Sequence, residues 1–249
     1  MTAYYNEIDP YAAQWLRNLI KAGHIARGDV DERSIADVRA DDLRGYTQCH
    51  FFAGVAGWSL ALRLAGWPDD RPVWTGSCPC QPYSIAQVAH GGAQGSLDKR
   101  DLWPVFFPLV RQLKPAKVFG EQVPGAIKWG WWDRSALDLE SSAYAAASLI
   151  LRADAEGADH ERKRLYWVAD AGSEGWPGHQ PVECLPFAAS PPLAVDGGAL
   201  VRARRALEGD YSDLLPCDGL SIAVERLRAR GYGNAIVPQV AAEFIRACG

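Results

Sequence analysis

The 249-residue chain contains no apolar run approaching the ~20 residues that a membrane-crossing helix needs. Its opening MTAYYNEIDPYAAQ is polar where a secretory signal is basic and then apolar. These absences lead us to expect a soluble, cytoplasmic protein with no membrane partner. The six cysteines are irregularly spaced, so they do not form a secreted disulfide framework and read as reduced thiols. Cys78 and Cys80 have no second close Cys or His pair, which argues against zinc, and the H-x-E with P-C-x-x-C of zinc deaminases is missing. No metal is expected. A global basic field is also lacking, because the net charge is −4. Basic residues gather locally at His160–Arg164, Arg202–Arg205 and Glu225–Arg230, each of which can be a phosphate contact or simply a solvated face. No internal repeat is visible.

What is present is alternation. Tyr4–Ile8 reads as a strand, and Asp9-Pro10 before YAAQWLRNLIKAG supplies an N-cap, a proline at the first helical position, an apolar stripe and a stopping glycine. Gln48–Ala53 and then GVAGWSLALRLAGW form a second strand–turn–helix unit. Strands are expected at Pro72–Thr75, Ala116–Gly120 and Leu165–Ala169, and helices at Asp101–Leu113, Ser135–Ala147 and from about Pro238. Such alternation predicts an α/β, doubly wound, mostly parallel sheet. After Asp170 the rhythm gives way to Gly, Pro and short polar runs. We therefore expect a catalytic domain over residues 1–170, a small irregular lobe over 171–230, and a segment over 231–249 that packs back on the first domain.

Two stretches carry chemistry. FAGVAG (Phe52–Gly57) sits between a strand and a helix, where glycines permit close backbone approach and the helix N-terminus offers free N–H groups; a plain glycine turn fits it equally well. GSCPCQPYS (Gly76–Ser84) follows a strand and puts Cys80 on a proline-bounded turn, the place for an exposed nucleophile at a sheet crevice. Cys78, on the strand side, reads as a small buried apolar residue. The glycine-rich Ala89–Gly95 beyond it is either a mobile loop that closes over a substrate or an idle surface loop.

Taken together the motifs resemble those of the DNA cytosine-C5 methyltransferase family. Phe52–Gly57 is similar to that family's first, cofactor-cradling motif, Pro79-Cys80-Gln81 to its nucleophile motif, and Glu121-Gln122-Val123 to its Glu-Asn-Val. His160–Arg164 is similar to its Gln-x-Arg-x-Arg, and GNAIVPQV (Gly233–Val240) to its last motif. The resemblance implies a Rossmann-like class I S-adenosylmethionine-dependent fold and methylation of cytosine C5 in duplex DNA. Cys80 would attack C6, Glu121 would act at N3, and Arg162 and Arg164 would hold the base and a phosphate. S-adenosyl-L-methionine would lie on Phe52, Ala53, Gly54, Val55, Ala56, Gly57 and Trp58, with Pro79, Asn234 and Ala235 nearby. DNA would meet Gln81, Ser84, Gln239 and the lobe's Arg202, Arg204 and Arg205. The resemblance suits a monomer from a restriction–modification system or an orphan phage methyltransferase.

The chain departs from the family in order. The acidic strand-end motif similar to Asn-Glu-Ile-Asp stands at Asn6–Asp9, ahead of the glycine turn, with Gly28-Asp29-Val30 after its helix. We read this as a rearrangement in which strands that normally follow the first motif precede it, so that Glu7 meets the ribose and Asp29 the adenine. The alternative is that Glu7 and Asp9 belong to a helix cap and Asp29 to a loop. Ala56, Gln122 and His160 stand where the family has glycine, asparagine and glutamine. Two other functions stay open at this point: a tRNA cytosine-C5 methyltransferase, whose Cys-Phe-Thr signature does not follow Glu121, and a catalytically silent base-reading module, which the intact Cys80, Glu121, Arg162 and Arg164 oppose.

Overall fold

The computed structural model describes residues 2–79, 101–152, 162–172 and 236–248, which lie in one compact unit made of Met1–Gly175 and Gly231–Gly249. The chain enters through β1 (Ala3–Asn6) and α1 (Pro10–Ala22), which starts and stops where its caps predict. Asp9 is the N-cap, its side chain accepting from the Tyr11 and Ala12 N–H groups, and Gly23 closes the helix at φ 75°. Then come β2 (Gly28–Asp31), a short helical turn, α2 (Ala40–Leu43), β3 (Gln48–Phe51) and α3 (Gly57–Leu64). β4 (Val73–Gly76) follows, and beyond it α4 (Trp103–Leu113), β5 (Lys117–Gln122), α5 (Gly125–Lys128) and α6 (Trp131–Ser141). The last elements are β6 (Ala145–Arg152), β7 (Lys163–Asp170) and α7 (Pro238–Cys248).

The strands form one sheet in the order β2-β1-β3-β4-β5-β7-β6. β1 to β5 run parallel, while β7 is antiparallel to both β5 and β6. This is the order the rearranged reading requires: β1 and β2 precede β3 in sequence yet extend the sheet beyond it. Alternate residues feed two cores, as a sheet covered on both faces demands. Trp74, Val118 and Trp167 join a cluster with Trp103, Phe106 and Trp131 from α4 and α6. Val73, Phe119 and Tyr166 join Trp58 from α3 and Phe244 from α7 in the other.

One expected element is wrong. The helix predicted over Ser135–Ala147 ends at Ser141, turns through Ala143 at φ 62°, and gives way to the edge strand β6. The tract AYAAASLILR has alanines that favour helix locally, but pairing with β7 over its whole length, from Ala145↔Asp170 to Arg152↔Lys163, decides the outcome. β2 was visible in the sequence only through its motif.

His50, in the middle of β3, is fully enclosed: its ring stacks on Tyr5 at 4.9 Å and its Nδ1 lies 2.9 Å from Thr75 Oγ1. Burial pulls its imidazole down to about 3. The unfolded chain takes up a proton near pH ~6.5 that the folded chain refuses, so the stability this residue contributes is present above that pH and lost as the pH falls. Resistance of the wild type to urea should therefore fall on acidification below about pH 6.5, by up to ~1.4 kcal/mol per pH unit from this group. In His50→Gln that share of the slope disappears; an unchanged slope would rule the residue out as its source.

Candidate active site

Because β1 to β5 are parallel, the segments that follow them leave the sheet along one edge. Glu7 emerges after β1, Phe52–Gly57 after β3, Ser77–Pro79 after β4 and Val123 after β5. The antiparallel β7 begins at that same edge, because Leu165 pairs with Gln122 at the end of β5. Arg162 and Arg164 are thereby brought to the place where the parallel strands end. From β1 the chain runs outward to β2 on one side and from β3 outward to β4 on the other, so the direction reverses between β1 and β3, and such a switch point is where open α/β sheets place ligands.

The turn after β3 is built from left-handed residues. Phe52 has φ 53°, Gly54 φ 54° and Ala56 φ 68°. Gly54 meets nothing within 4 Å where a side chain would stand, so its backbone can be approached closely. Ala56, read as a departure from glycine, still adopts the glycine-like conformation, at a cost of ~1–2 kcal/mol. Gly57 permits a second close approach: a Cβ there would lie 2.5 Å from Ile236 Cγ1, which locks the segment before α7 against the start of α3. The N–H groups at the start of α3 have no intrahelical partner and face the turn. Phe52 is half-buried, its ring edge-on to Phe106 at 6.2 Å.

Glu7 is tied to this turn. Its Oε2 accepts from Gly54 N at 2.7 Å and its Oε1 from Asp9 N at 2.9 Å. The structure thus gives Asp9 the capping role and takes Glu7 across to the neighbouring strand's turn. Asp29 lies within β2, not in a loop, and accepts from the Tyr46 hydroxyl at 2.9 Å. Asp31, two residues on, lies beside Asn6 in the register. Burial alone would raise its carboxyl, but hydrogen bonds from Arg33 and Tyr4 hold it down at about 2. Sequence reasoning passed over Ile8, which is 65% exposed beside Glu7. The signal was an apolar residue at a strand's carboxyl end, where a flat apolar ring can be covered.

At the end of β5, Glu121 is 7% exposed and Arg164 Nε lies 2.7 Å from its Oε1. The contact is an ion pair in distance, but the N–H is not aimed along it, so that oxygen accepts no in-line hydrogen bond. Burial raises the Glu121 carboxyl, outweighing the opposite pull of Arg164 and Arg162. Tyr166 stands directly across from Glu121 on β7. Gln122 Nε2 donates to the Cys78 carbonyl at 3.2 Å, and Val123 N donates to Gln122 Oε1 at 2.9 Å. Gln122 therefore ties β5 to the strand exit leading to Pro79. Trp58 turns its ring into the core, 5% exposed, and Gln239 is half-buried in α7. Cys80, Gln81, Ser84, His160, Arg202, Arg204, Arg205, Asn234 and Ala235 lie outside the described residues, as do the glycine-rich 89–95 and the lobe expected over 171–230 apart from its first two residues. Among the described residues no cluster of His, Cys, Asp and Glu could hold a metal ion, and no helix is long and apolar enough to cross a membrane.

The sheet, with five parallel strands, an antiparallel β7 and a glycine turn after its central strand, is the doubly wound, mostly parallel α/β arrangement that the sequence predicts. Residues 67–184, a little under half of the chain, match the model of the C-5 cytosine-specific DNA methylases. Among solved structures, the chain is similar to a DNMT2 of Spodoptera frugiperda, with 15% identity and TM-score 0.47 over 72% of this chain and 45% of that one. It is also similar to the Escherichia coli prophage Cp- protein assigned as a DNA modification methyltransferase, with 20% identity and TM-score 0.43 over 68% and 39%. A third is the Entamoeba histolytica methyltransferase EhMeth, with 15% identity and TM-score 0.40 over 70% and 54%. The chain thus spans about half or less of the length of these proteins. No curated protein matches it.

Proposed function

We propose that the protein methylates cytosine C5 in duplex DNA, using S-adenosyl-L-methionine and a covalent bond between Cys80 and cytosine C6. The observation that carries this reading is the buried Glu121–Arg164 pair at the end of β5, joined through Gln122 to the strand exit that leads into Pro79-Cys80. Cytosine C5 is too weak a nucleophile to take a methyl group unaided. When the Cys80 thiolate bonds to C6, the C5–C6 π pair moves to C4–C5 and the C4–N3 pair settles on N3. Glu121, held toward its neutral form by burial, donates a proton there. Arg164 and Arg162 stabilise the charge at O2 and the neighbouring phosphate. The electron-rich C5 would then take the methyl group as its bond to the sulfonium sulfur breaks and S-adenosylhomocysteine leaves, Glu121 would recover its proton from N3, and transfer of the C5 proton to water would re-form the C5–C6 double bond and expel Cys80 as its thiolate. In a duplex the base must leave the stack first.

The residues present suit the cofactor. The open turn with its left-handed Gly54, the N–H groups opening α3, the Glu7 carboxylate and the exposed Ile8 offer places for a carboxylate, ribose hydroxyls and an adenine face. S-adenosylmethionine, bound there, supplies the methyl group on a sulfonium. Arg202, Arg204, Arg205, Gln81, Ser84 and Gln239 are our candidates for DNA contacts.

The direct test exposes duplex DNA to the purified protein with S-adenosylmethionine and maps methylated cytosines by sequencing. Cytosine C5 methylation at a reproducible site is expected, and methyl transfer to adenine or to no base would reject the reading. For the cofactor, Glu7→Ala should raise the dissociation constant by about tenfold, since a charge-assisted hydrogen bond contributes ~1.5–3 kcal/mol. Calorimetry with a folded Glu7→Ala protein that binds as tightly as wild type would leave Glu7 with a structural role alone.

A further inference from the structure

The strand exit that carries the nucleophile is held from two sides. On one, Gln122 Nε2 donates to the Cys78 carbonyl at 3.2 Å. On the other, Trp58 Nε1 donates to Ser77 Oγ at 2.9 Å. Trp58 is the second residue of α3 and follows the glycine turn directly. Its indole is clamped: the ring stacks on Phe119 at 6.1 Å and 19°, and meets Tyr166 edge-on at 6.1 Å and 76°. The ring cannot swing to follow Ser77 without opening that core, so its N–H is a fixed point. β3 and β4 are neighbours with Phe51 opposite Gly76, so the turn and Ser77 leave the sheet side by side. The glycine turn and the residue three positions before Cys80 are thus joined through one rigid side chain.

We propose that Trp58 is a positioning residue for the nucleophile: through Ser77 it sets the path of the chain into Pro79-Cys80 and couples that path to occupancy of the turn. This rests on the reading of Cys80 as nucleophile and of Phe52–Gly57 as the cofactor turn. Indole only donates and serine here accepts, so each partner can be silenced alone. Trp58→Phe keeps an aromatic ring in the core and loses the donor, and Ser77→Ala loses the acceptor.

The test is a double-mutant cycle of wild type, Trp58→Phe, Ser77→Ala and the double variant. Three quantities are read: the dissociation constant for S-adenosylhomocysteine, kcat for methyl transfer, and the rate of Cys80 alkylation by iodoacetamide with and without S-adenosylhomocysteine, assigned by peptide fragment masses. Each single variant should lower kcat by roughly three- to tenfold, as loss of one net hydrogen bond predicts, and the double variant by no more than either alone. The Trp58 ring faces the core and not the turn, and both variants keep the backbone groups of the turn, so affinity for S-adenosylhomocysteine should stay within about twofold. The ligand should alter the Cys80 alkylation rate in wild type and leave it unaltered in all three variants. Losses that multiply in the double variant, an alkylation response retained in the variants, or a wild-type rate indifferent to the ligand would each overturn the link. If wild type transfers no methyl group, the functional reading fails by itself, and the alkylation comparison still decides the coupling.

Discussion

Cys80→Ser abolishes methyl transfer, and Cys78→Ala leaves most of it: that contrast is the largest effect expected of this protein. The two thiols are two residues apart but differ in kind. Cys78 is 5% exposed at the strand end, and burial, reinforced by the Asp101 carboxylate, pushes its thiol far above the ordinary range. A thiol held in that way cannot supply a thiolate. Its removal takes away a small apolar group, for which alanine is a close substitute. Loss of a nucleophile, by contrast, costs about three orders of magnitude or more. Transfer of labelled methyl groups to duplex DNA measures both variants. DNA carrying 5-fluorocytosine at the target separates nucleophile from bystander more sharply, because fluorine does not leave as the proton does. Wild type and Cys78→Ala should form a denaturation-resistant adduct and Cys80→Ser none. An adduct in Cys80→Ser, or equal loss of turnover in both variants, would sink the assignment.

Glu121→Gln should lower kcat by about 10²–10⁴, the range for removing a positioned proton donor. Glutamine is close in shape and can still accept at one end, so the loss reports the proton rather than the packing. The pH profile is the finer measurement. The raised Glu121 carboxyl keeps its proton to higher pH than a free glutamate, so its contribution is present on the acid side and lost as pH rises through its folded value. Thiolate formation at Cys80 acts in the opposite direction, rising with pH. The wild-type profile is therefore bell-shaped, and in Glu121→Gln the falling alkaline limb should vanish while the rising limb stays. A mutant that keeps the same falling limb would show that another group donates the proton.

Much of this architecture was legible because its signals are local. Asp9, Pro10 and Gly23 bracket α1 and do in space what their chemistry predicts. The first two strands were readable for the same reason: Asn6–Asp9 and Gly28–Val30 carry local motifs that do not depend on their place in the chain. β6 was not, because alanine-rich sequence carries no period of two and becomes a strand only when β7 lies alongside. Within the site, residue type pointed to Glu121 and Arg164, but not to burial outweighing the paired guanidinium in setting the carboxyl. Gln122 looked like a defect in sequence, yet its amide reaches the Cys78 carbonyl. The Trp58–Ser77 bond could not have been found by pattern, since it joins residues on different elements, 19 positions apart.

The order of the first three strands also bears on synthesis. β1 is buried along its whole length and lies between β2 and β3 in the finished sheet. On the ribosome it is made before either neighbour, and β3 emerges only after α1, β2 and α2. At roughly 5–20 residues per second, β1 waits for seconds with one edge and its apolar side chains without their final cover. During that interval its unpaired backbone is a template for another nascent chain. Yield from fast, crowded expression should therefore be limited at this point, and slowing elongation just after β3 or supplying a holdase should recover soluble protein without any change to the folded state.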